Sequence, residues 1–236
     1  MGKSNTGLIT RVKFGDIMAQ EIITFLKEHC KDTPYGECYM LCILSRKKNN
    51  DNMSDSQQIM RRRLVFNDSD VDVLYNELLV ERSNYPNLDF YMYVTASPRS
   101  VKKALVMFIN ECVSILANYM TDDGQIKRIA KLSHIWYSIL QKPETRGTVK
   151  RFILDIDTKD NSVLAQSIVR AKDLGADIIA IRETRNGRHV LCTPFDVSKF
   201  QFTETVQYKR DGLLFVESLG VNDEENSSTN GASSKR

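Results

Sequence analysis

Two aspartates spaced two residues apart, Asp155 and Asp157, are the groups in this sequence best suited to metal chemistry. They end the apolar run that begins at Phe152, and such a run predicts a β-strand. Residues i and i+2 of a strand point to the same face, so both carboxylates are expected to project side by side. Carboxylates this close repel each other unless a cation lies between them, and their oxygens suit Mg²⁺ or Mn²⁺. The pair therefore indicates a metal site; the alternative is that the two aspartates only end a strand.

A predicted β-hairpin follows downstream, in the segment IIAIRETRNGRHVLCTP. Asn186-Gly187 is typical of a tight two-residue turn, because both residues accept positive φ. The turn places His189 near the start of the second strand. Several basic residues surround this histidine in the sequence: Lys159, Arg182, Arg185 and Arg188. Cations and an imidazole that face two carboxylates would fit a nucleoside triphosphate, whereas the alternative role for His189 is a hydrogen-bonded structural residue of the hairpin.

The order of these motifs resembles the catalytic core of the archaeo-eukaryotic primase and primase-polymerase superfamily. In that family a hydrophobic strand carries Asp-x-Asp or Asp-x-Glu, here Asp155-Ile156-Asp157. A helix and a strand then lead to a small residue, any residue and histidine, here Gly187-Arg188-His189. The resemblance implies that the aspartates bind two catalytic Mg²⁺ or Mn²⁺ ions and that the histidine contacts the phosphates of the incoming nucleotide. It is specific over about residues 150–196 and thin elsewhere, and no zinc-binding module of the family is evident.

A third motif of this family is a single acidic residue on a later strand. The segment VQYKRDGLLFVES offers Asp211 as the first choice and Glu217 as the second. The catalytic and metal-binding set implied in this way is Asp155, Asp157 and Asp211. The nucleotide-binding set is His189, Arg188, Lys159 and Arg185. The stretch from Lys209 to Gly212 also matches the Lys-x-Asp-Gly pattern of nucleic-acid ligases, but those enzymes need a large domain after the lysine, so we interpret it as a hairpin turn.

A second cluster of positive charge lies at the predicted start of a long helix, Val101 to Met120. Arg99 precedes this helix, and Lys102 and Lys103 lie in its first turn. Because anions are favoured at helix N-termini, these three residues are candidate contacts for phosphate or for a single-stranded DNA template. The alternative is ordinary solvent-exposed charge.

Composition sets limits on the class of protein. The chain has 236 residues, of which 42% are hydrophobic and 27% charged, and its net charge is +3, so any nucleic-acid surface must be a local patch. The sequence has no apolar stretch of the ~20 residues needed to span a bilayer. An odd count of five cysteines favours reduced thiols in the cytoplasm, or in the host cytoplasm if the chain is viral. The group His29, Cys30, Cys38 and Cys42 fits no common zinc module.

Helix and strand patterns that alternate along the chain predict an α/β (α+β) fold. We expect one domain over residues 1–220, with an N-terminal α/β portion over about 1–148. An RRM-like core with a mixed or antiparallel sheet is expected over about 149–220, and two long helices, one of them at 126–140, are expected to pack against it. Residues 221–236 are polar and are predicted to be a disordered tail.

The sequence therefore predicts a metal-dependent, template-directed nucleotidyltransferase, that is, a DNA primase or primase-polymerase that acts in DNA replication. Its expected ligands are nucleoside triphosphates and a single-stranded DNA template. A replicative helicase is a further expected partner, and no association with a membrane is expected. A small core of this type is typical of a viral or mobile replicon. Two alternatives stay open: a non-catalytic nucleic-acid-binding protein on the same fold, and a different Asp-x-Asp transferase.

Overall fold

The structure, a computed structural model, describes residues 6–47, 50, 53–54, 58–119 and 124–220, so the predicted tail at 221–236 lies outside it. The α-helices are α1 (Thr6–Cys30), α2 (Val71–Ser83), α3 (Val101–Tyr119), α4 (Gly124–Ile129), α5 (Leu132–Leu140) and α6 (Asn161–Asp173). The strands are β1 (Glu37–Ser45), β2 (Ile59–Val65), β3 (Phe90–Thr95), β4 (Arg99–Ser100), β5 (Phe152–Ile156), β6 (Ile178–Glu183), β7 (Arg188–Cys192), β8 (Val206–Lys209) and β9 (Leu213–Leu219). In the part of the chain that the structure describes, no helix is long and apolar enough to cross a membrane.

The strands form two antiparallel sheets. The first has the order β2-β1-β3-β9, with β4 also paired to β1, and the second has the order β6-β7-β5-β8. In the second sheet β7 lies between β5 and β6, which α6 connects, so these elements form a split β-α-β unit. The prediction of an α/β fold built from helices and antiparallel sheet is confirmed. The more specific similarity of the C-terminal sheet to the RRM fold stays a prediction.

The last strand, β9, pairs with β3 and so belongs to the first sheet. Its residues Leu214 and Val216 are buried in the main core beside Met92 and Val94. The sequence boundary near residue 148 therefore does not separate the two sheets. The chain builds the second sheet with β5 to β8 and then returns to the first.

Strand β1 is the centre of the first sheet and is buried along all of its length. One face carries Leu41 and Ile43 and is covered by α1 and α2. On the other face Cys38 packs against Ala104 of α3 and Ile139 of α5. Burial on both faces explains why this strand is a continuous apolar run without alternation.

The prediction of two long helices was wrong in two respects: one of the helices is shorter than expected, and the helices pack against a different sheet. The helix predicted over 126–140 is divided into α4 and α5, because Lys131 leaves the helical region with φ −109° and ψ 18°. Helices α3 and α5 pack against Cys38 of the first sheet, not against the C-terminal sheet as expected. The apolar face that they cover belongs to β1 and β2.

The second sheet has two different faces, and this difference orients its polar residues. Helix α6 covers the face that carries Leu154, Ile156 and Val190. The opposite face contacts the main core through Ile153 and Leu191. Since side chains alternate along a strand, the residue after Leu154 must point toward the first sheet. That residue is Asp155, and its orientation follows from strand alternation alone.

A buried ion cluster ties the turn between β8 and β9 to the N-terminal part of the chain. Arg99 is 2% exposed, and its Nη1 lies 3.1 Å from Oδ1 of Asp211. The guanidinium of Arg146 contacts the other oxygen of the same carboxylate. The cluster overturns two predictions: Asp211 does not join Asp155 and Asp157, and Arg99 faces inward where no phosphate backbone can reach it. The charges of Arg99 and Asp211 neutralise each other inside the fold.

Replacing Asp211 by alanine is expected to lower the free energy of unfolding by about 3–5 kcal/mol, because Arg99 would stay buried without its carboxylate partner. Urea denaturation of the variant and the wild-type protein measures this difference. The matched control is Glu204→Ala, which removes an exposed carboxylate and should change the stability by less than about 0.5 kcal/mol. Equal stability of the two variants would show that the ion cluster contributes nothing.

Candidate active site

A cavity of about 640 Å³ lies between the two sheets, and both sheets contribute to its walls. The first sheet and its adjoining residues supply Arg46, Tyr91, Tyr93, Leu213 and Phe215. The second sheet and its loops supply Asp155, Asp157, Thr184, Arg185, Asn186, His189 and Lys209. The cavity brings together the two aspartates, His189 and Arg185, whereas their roles in metal and nucleotide binding stay predictions.

Asp155 holds the central position on the second sheet. The pairing of β5 with β7 places it directly opposite His189, and Nε2 of the histidine lies 3.2 Å from Oδ1 of the carboxylate. The ammonium group of Lys209, at the end of β8, contacts the other oxygen, Oδ2. Both oxygens of a side chain that is only 14% exposed therefore have a partner within the protein.

The charge state of Asp155 follows from these contacts. Burial alone would raise the pKa of this carboxyl group, but the hydrogen bonds from His189 and Lys209, together with the positive charge of Lys209, lower the pKa to about 2. The group is therefore an anion at neutral pH, as a metal ligand must be. Asp157, just past the end of β5, is exposed, and its backbone N–H donates to the carbonyl oxygen of Thr205 at 2.8 Å.

His189 is held by a second hydrogen bond that determines which ring nitrogen carries the proton. The backbone N–H of Phe215 on β9 donates to Nδ1 of the histidine at 3.0 Å. Since a backbone N–H can only donate, Nδ1 is the acceptor and the proton is on Nε2, which donates to Asp155. The neutral ring thus braces the carboxylate. Contact of His189 with a nucleotide stays a prediction.

Gly187, the small residue of the small-x-His motif, is required by a close approach of two backbone segments. A Cβ at this position would overlap the carbonyl oxygen of Ile156 and would lie 2.7 Å from the backbone nitrogen of Thr158. The loop between β6 and β7 therefore lies directly over the end of β5. This packing brings Asn186 and Arg185 to the wall of the cavity that also contains Asp157.

The hairpin itself is confirmed, but its turn differs from the predicted type. The loop between β6 and β7 consists of the four residues 184–187, and neither Asn186 nor Gly187 has positive φ. The loop closes instead through Thr184, whose N–H donates to the carbonyl oxygen of Gly187 at 2.9 Å. The Thr184 hydroxyl in turn accepts from the N–H of Gly187 at 3.0 Å. Hydrogen bonds of Thr184 therefore close the loop, where residues with positive φ were expected to do so.

Two of the predicted nucleotide contacts lie outside the cavity. Arg188 is next to His189 on β7 and therefore points to the opposite face of the sheet. Its guanidinium donates to the carbonyl oxygen of Lys159 at 3.2 Å and lies 3.7 Å from Glu183. Neither Arg188 nor Lys159 lines the cavity. Arg188 lies outside the cavity because side chains alternate along a strand. Lys159 lies outside it because this residue belongs to the connection between β5 and α6.

The predicted template cluster at the start of α3 is also divided. Arg99 is buried in the ion cluster, whereas Lys102 and Lys103 are exposed. The ammonium group of Lys103 donates to the carbonyl oxygen of Arg146 at 2.9 Å. Lys102 and Lys103 therefore stay at the surface, where contact with a nucleic acid is still a prediction.

Neither candidate for the third acidic residue lines the cavity. Glu217 lies on β9 beside a second, larger cavity, where burial raises its pKa while a hydrogen bond from Tyr75 and the charge of Arg182 oppose the rise. Across the described ranges, no three His, Cys, Asp or Glu side chains are grouped closely enough to hold a metal ion. Asp155 and Asp157 still fit Mg²⁺ or Mn²⁺, because Mg²⁺ is often held by one or two carboxylates, with substrate phosphates and water as further ligands.

Five charged or aromatic lining residues were not singled out as site residues from the sequence: Arg46, Tyr91, Tyr93, Lys209 and Phe215. Lys209 entered only as part of a ligase-like pattern. The spacing of the two tyrosines in FYMYV does predict that they share one face of a strand. Nothing local indicates which element that face meets, so the five residues could not be assigned to the site before the sheets were placed together.

The lowered pKa of Asp155 predicts an acid-dependent loss of stability. Because the pKa of the folded state lies below the ordinary value near 4, the carboxylate stabilises the fold above about pH 4 and this contribution is lost as the pH falls through about 2. The contribution is about 2 kcal/mol, since one pKa unit corresponds to about 1.4 kcal/mol. Urea denaturation between pH 2 and 6 should show a smaller acid loss for Asp155→Asn than for the wild type.

In the same series, Lys209→Met removes one donor to Asp155 and should move the acid loss to higher pH. Identical pH profiles for the wild type and both variants would contradict the proposed interactions of this carboxylate.

Comparison of the chain with models of protein families, with curated proteins and with solved structures gave no match. The geometry of the cavity and the chemistry of its side chains therefore carry the functional interpretation. Asp155, Asp157, His189 and the surrounding cations are the residues on which that interpretation rests.

Proposed function

We propose that this protein is a metal-dependent nucleotidyltransferase that extends or starts a nucleic-acid strand on a template, in the manner of a primase or primase-polymerase. One observation carries the proposal: a single cavity between two sheets unites two carboxylates, an imidazole and three cationic side chains. Its volume of about 640 Å³ lies within the ~300–1,000 Å³ typical of small-molecule sites. Nucleoside triphosphates and a single-stranded DNA template are the corresponding ligands.

The two kinds of charge in the cavity suit the two parts of a metal-bound triphosphate. Asp155 and Asp157 would hold Mg²⁺ or Mn²⁺, which would neutralise the phosphates and stabilise the charge that develops during an in-line displacement. Arg46 and Arg185 come from opposite walls and can contact phosphate oxygens from both sides. The carboxylates would repel a ligand that consists of phosphates alone, and the cationic side chains would repel a metal ion alone. A metal–triphosphate complex carries both kinds of charge and therefore complements both groups of side chains.

His189 and Lys209 have separate roles in this proposal. His189 keeps the Asp155 carboxylate in one orientation through its Nε2 proton, while its Nδ1 is fixed by the backbone of β9. Lys209 neutralises Asp155 before a ligand binds. Its side chain is 43% exposed, so the ammonium group could turn toward a phosphate if Asp155 and Asp157 held a metal ion.

The resemblance of the motifs to the primase superfamily supports the same reaction. The Asp-x-Asp motif spans the end of β5 and the small-x-His motif spans the start of the neighbouring strand β7, which is the arrangement needed for them to form one site. The chain departs from the family pattern in its third acidic residue, since Asp211 and Glu217 have other partners. The proposal therefore rests on two carboxylates.

A second candidate function is binding of a nucleotide or nucleic acid without catalysis. One observation favours it: both oxygens of Asp155 already have partners in the protein, and the ammonium group of Lys209 can replace a metal ion as the neutralising charge. In that case the cavity would bind phosphates in the same way with and without a divalent metal. The two candidates differ in their dependence on Asp157 and on added Mn²⁺.

Incorporation of a labelled nucleotide on a primed and an unprimed DNA template, with Mn²⁺, tests the catalytic proposal. Asp155→Asn combined with Asp157→Asn should reduce incorporation by roughly a hundredfold or more, because several kcal/mol of transition-state stabilisation would be lost. Asp173→Asn, an exposed carboxylate of α6, is the control and should retain full activity. Template binding and the unfolding transition are measured for each variant. Continued incorporation by the folded double variant would exclude the proposal.

Lys209→Met tests whether the lysine competes with a metal ion. The variant should bind Mn²⁺ about tenfold to a hundredfold more tightly in the absence of nucleotide, because a charge-assisted hydrogen bond worth about 1.5–3 kcal/mol no longer has to be broken. Its affinity for tripolyphosphate should fall. Isothermal titration calorimetry measures both affinities, and Lys172→Met, on the exposed side of α6, serves as the control. Unchanged Mn²⁺ affinity would show that Lys209 does not occupy the metal position.

A further inference from the structure

Three aromatic side chains lie together on one wall of the cavity. Tyr91 and Tyr93 are two residues apart on β3 and share a face, and both line the cavity. Phe215 lies directly opposite Tyr93 on the neighbouring strand β9. The ring centroid of Phe215 is 5.8 Å from that of Tyr93 and 6.3 Å from that of Tyr91. We call Tyr91, Tyr93 and Phe215 the aromatic platform.

The aromatic platform is separate from the main core of the first sheet. The alternating residues Met92, Val94, Leu214 and Val216 of the same two strands point to the opposite face, where they pack beneath α1 and α2. The platform faces the cavity that contains the carboxylates instead. Tyr93 is half-buried, whereas Tyr91 and Phe215 are 8% and 7% exposed, so Tyr93 presents the most accessible ring and the other two support it.

The position of the platform relative to the carboxylates is fixed by a direct bond. The backbone N–H of Phe215 donates to His189, and the same ring donates to Asp155. The platform and the carboxylate are therefore linked through one imidazole ring. A ligand that contacts both must combine a planar ring with an anionic or metal-bound group, and a nucleotide has this combination.

The charges on the two sides of the platform determine which way such a ligand lies. A larger cavity of about 1140 Å³ shares Tyr91 and Phe215 with the site. Its wall contains four carboxylates, from Glu21, Asp89, Glu183 and Glu217, against the two guanidinium groups of Arg182 and Arg185. Phosphates are disfavoured among these carboxylates, so they belong on the Asp155 side, with Arg46 and Lys209. The ring of the ligand is then left for the platform.

We propose that the aromatic platform stacks the base of the nucleoside triphosphate whose phosphates lie at Asp155 and Asp157, which makes Tyr91, Tyr93 and Phe215 a base-binding subsite. This inference rests on the proposed function. Stacking on aromatic side chains tolerates every base, because each base has a π-face. A subsite of this kind binds all four nucleotides and leaves the choice among them to the template.

Calorimetric titration with adenosine triphosphate and with inorganic tripolyphosphate, each with Mn²⁺, separates the base contact from the phosphate contact. Tyr91→Leu combined with Tyr93→Leu should lower the affinity for adenosine triphosphate about tenfold to a hundredfold, which is the stacking contribution of one base. The affinity for tripolyphosphate should stay the same. Tyr93→Phe keeps the stacking face and should bind adenosine triphosphate like the wild type.

Tyr208→Leu is the matched control, because this tyrosine packs with Phe202 and Phe152 on the other face of the second sheet. Unfolding transitions show that each variant is folded. An equal loss of affinity for both ligands, or no loss for either, would overturn the base-binding subsite. Failure of the proposed function gives a different result: no incorporation at all, while adenosine triphosphate still binds more tightly than tripolyphosphate through the platform.

Discussion

The two hydrogen bonds of His189 are the interaction on which the rest of the site depends. One ring nitrogen holds Asp155 on β5, and the other accepts from the backbone of β9, which belongs to the other sheet. The imidazole therefore sets the distance between a wall of carboxylates and a wall of aromatic rings. It does so as a neutral ring, since an N–H of the backbone occupies one of its nitrogens. A substitution that preserves charge alone would not preserve this connection.

Burial decides which charged residues serve the fold and which serve the site. Asp211 and Arg99 neutralise each other inside the protein, where an unpaired charge would be strongly destabilising. Asp155 is also largely buried, but its partner Lys209 is 43% exposed and can be displaced by a ligand at smaller cost. Asp157 is exposed at the edge of the same cavity. The cavity thus has one preoriented carboxylate and one that is open to solvent.

The path of the chain explains how two sheets come to share one cavity. The chain builds β5 to β8 as a separate antiparallel sheet and then returns to β3 with its last described strand. The ion cluster at Asp211 lies at the turn where this return begins, so it orients both Lys209 before the turn and Phe215 after it. Asp211, which resembled a metal ligand by its position in the sequence, instead stabilises the turn between β8 and β9, the two strands that contribute Lys209 and Phe215.

The amino-acid sequence by itself determined the features that depend on neighbours along the chain. Alternation predicts that Asp155 and Asp157 share a face, and the hairpin pattern places His189 on an adjacent strand. Alternation also requires Arg188 to point away from His189, although the motif had grouped the two.

Only the tertiary structure decided which surface meets that face. The pairing of β9 with β3 brings Phe215 to the site, and the packing of the two sheets adds Arg46, Tyr91, Tyr93 and Lys209. The same packing removes Asp211. The physical reason is that a strand's pattern encodes which of its sides is buried, whereas the partner of that side is selected by the shape and burial of the whole chain.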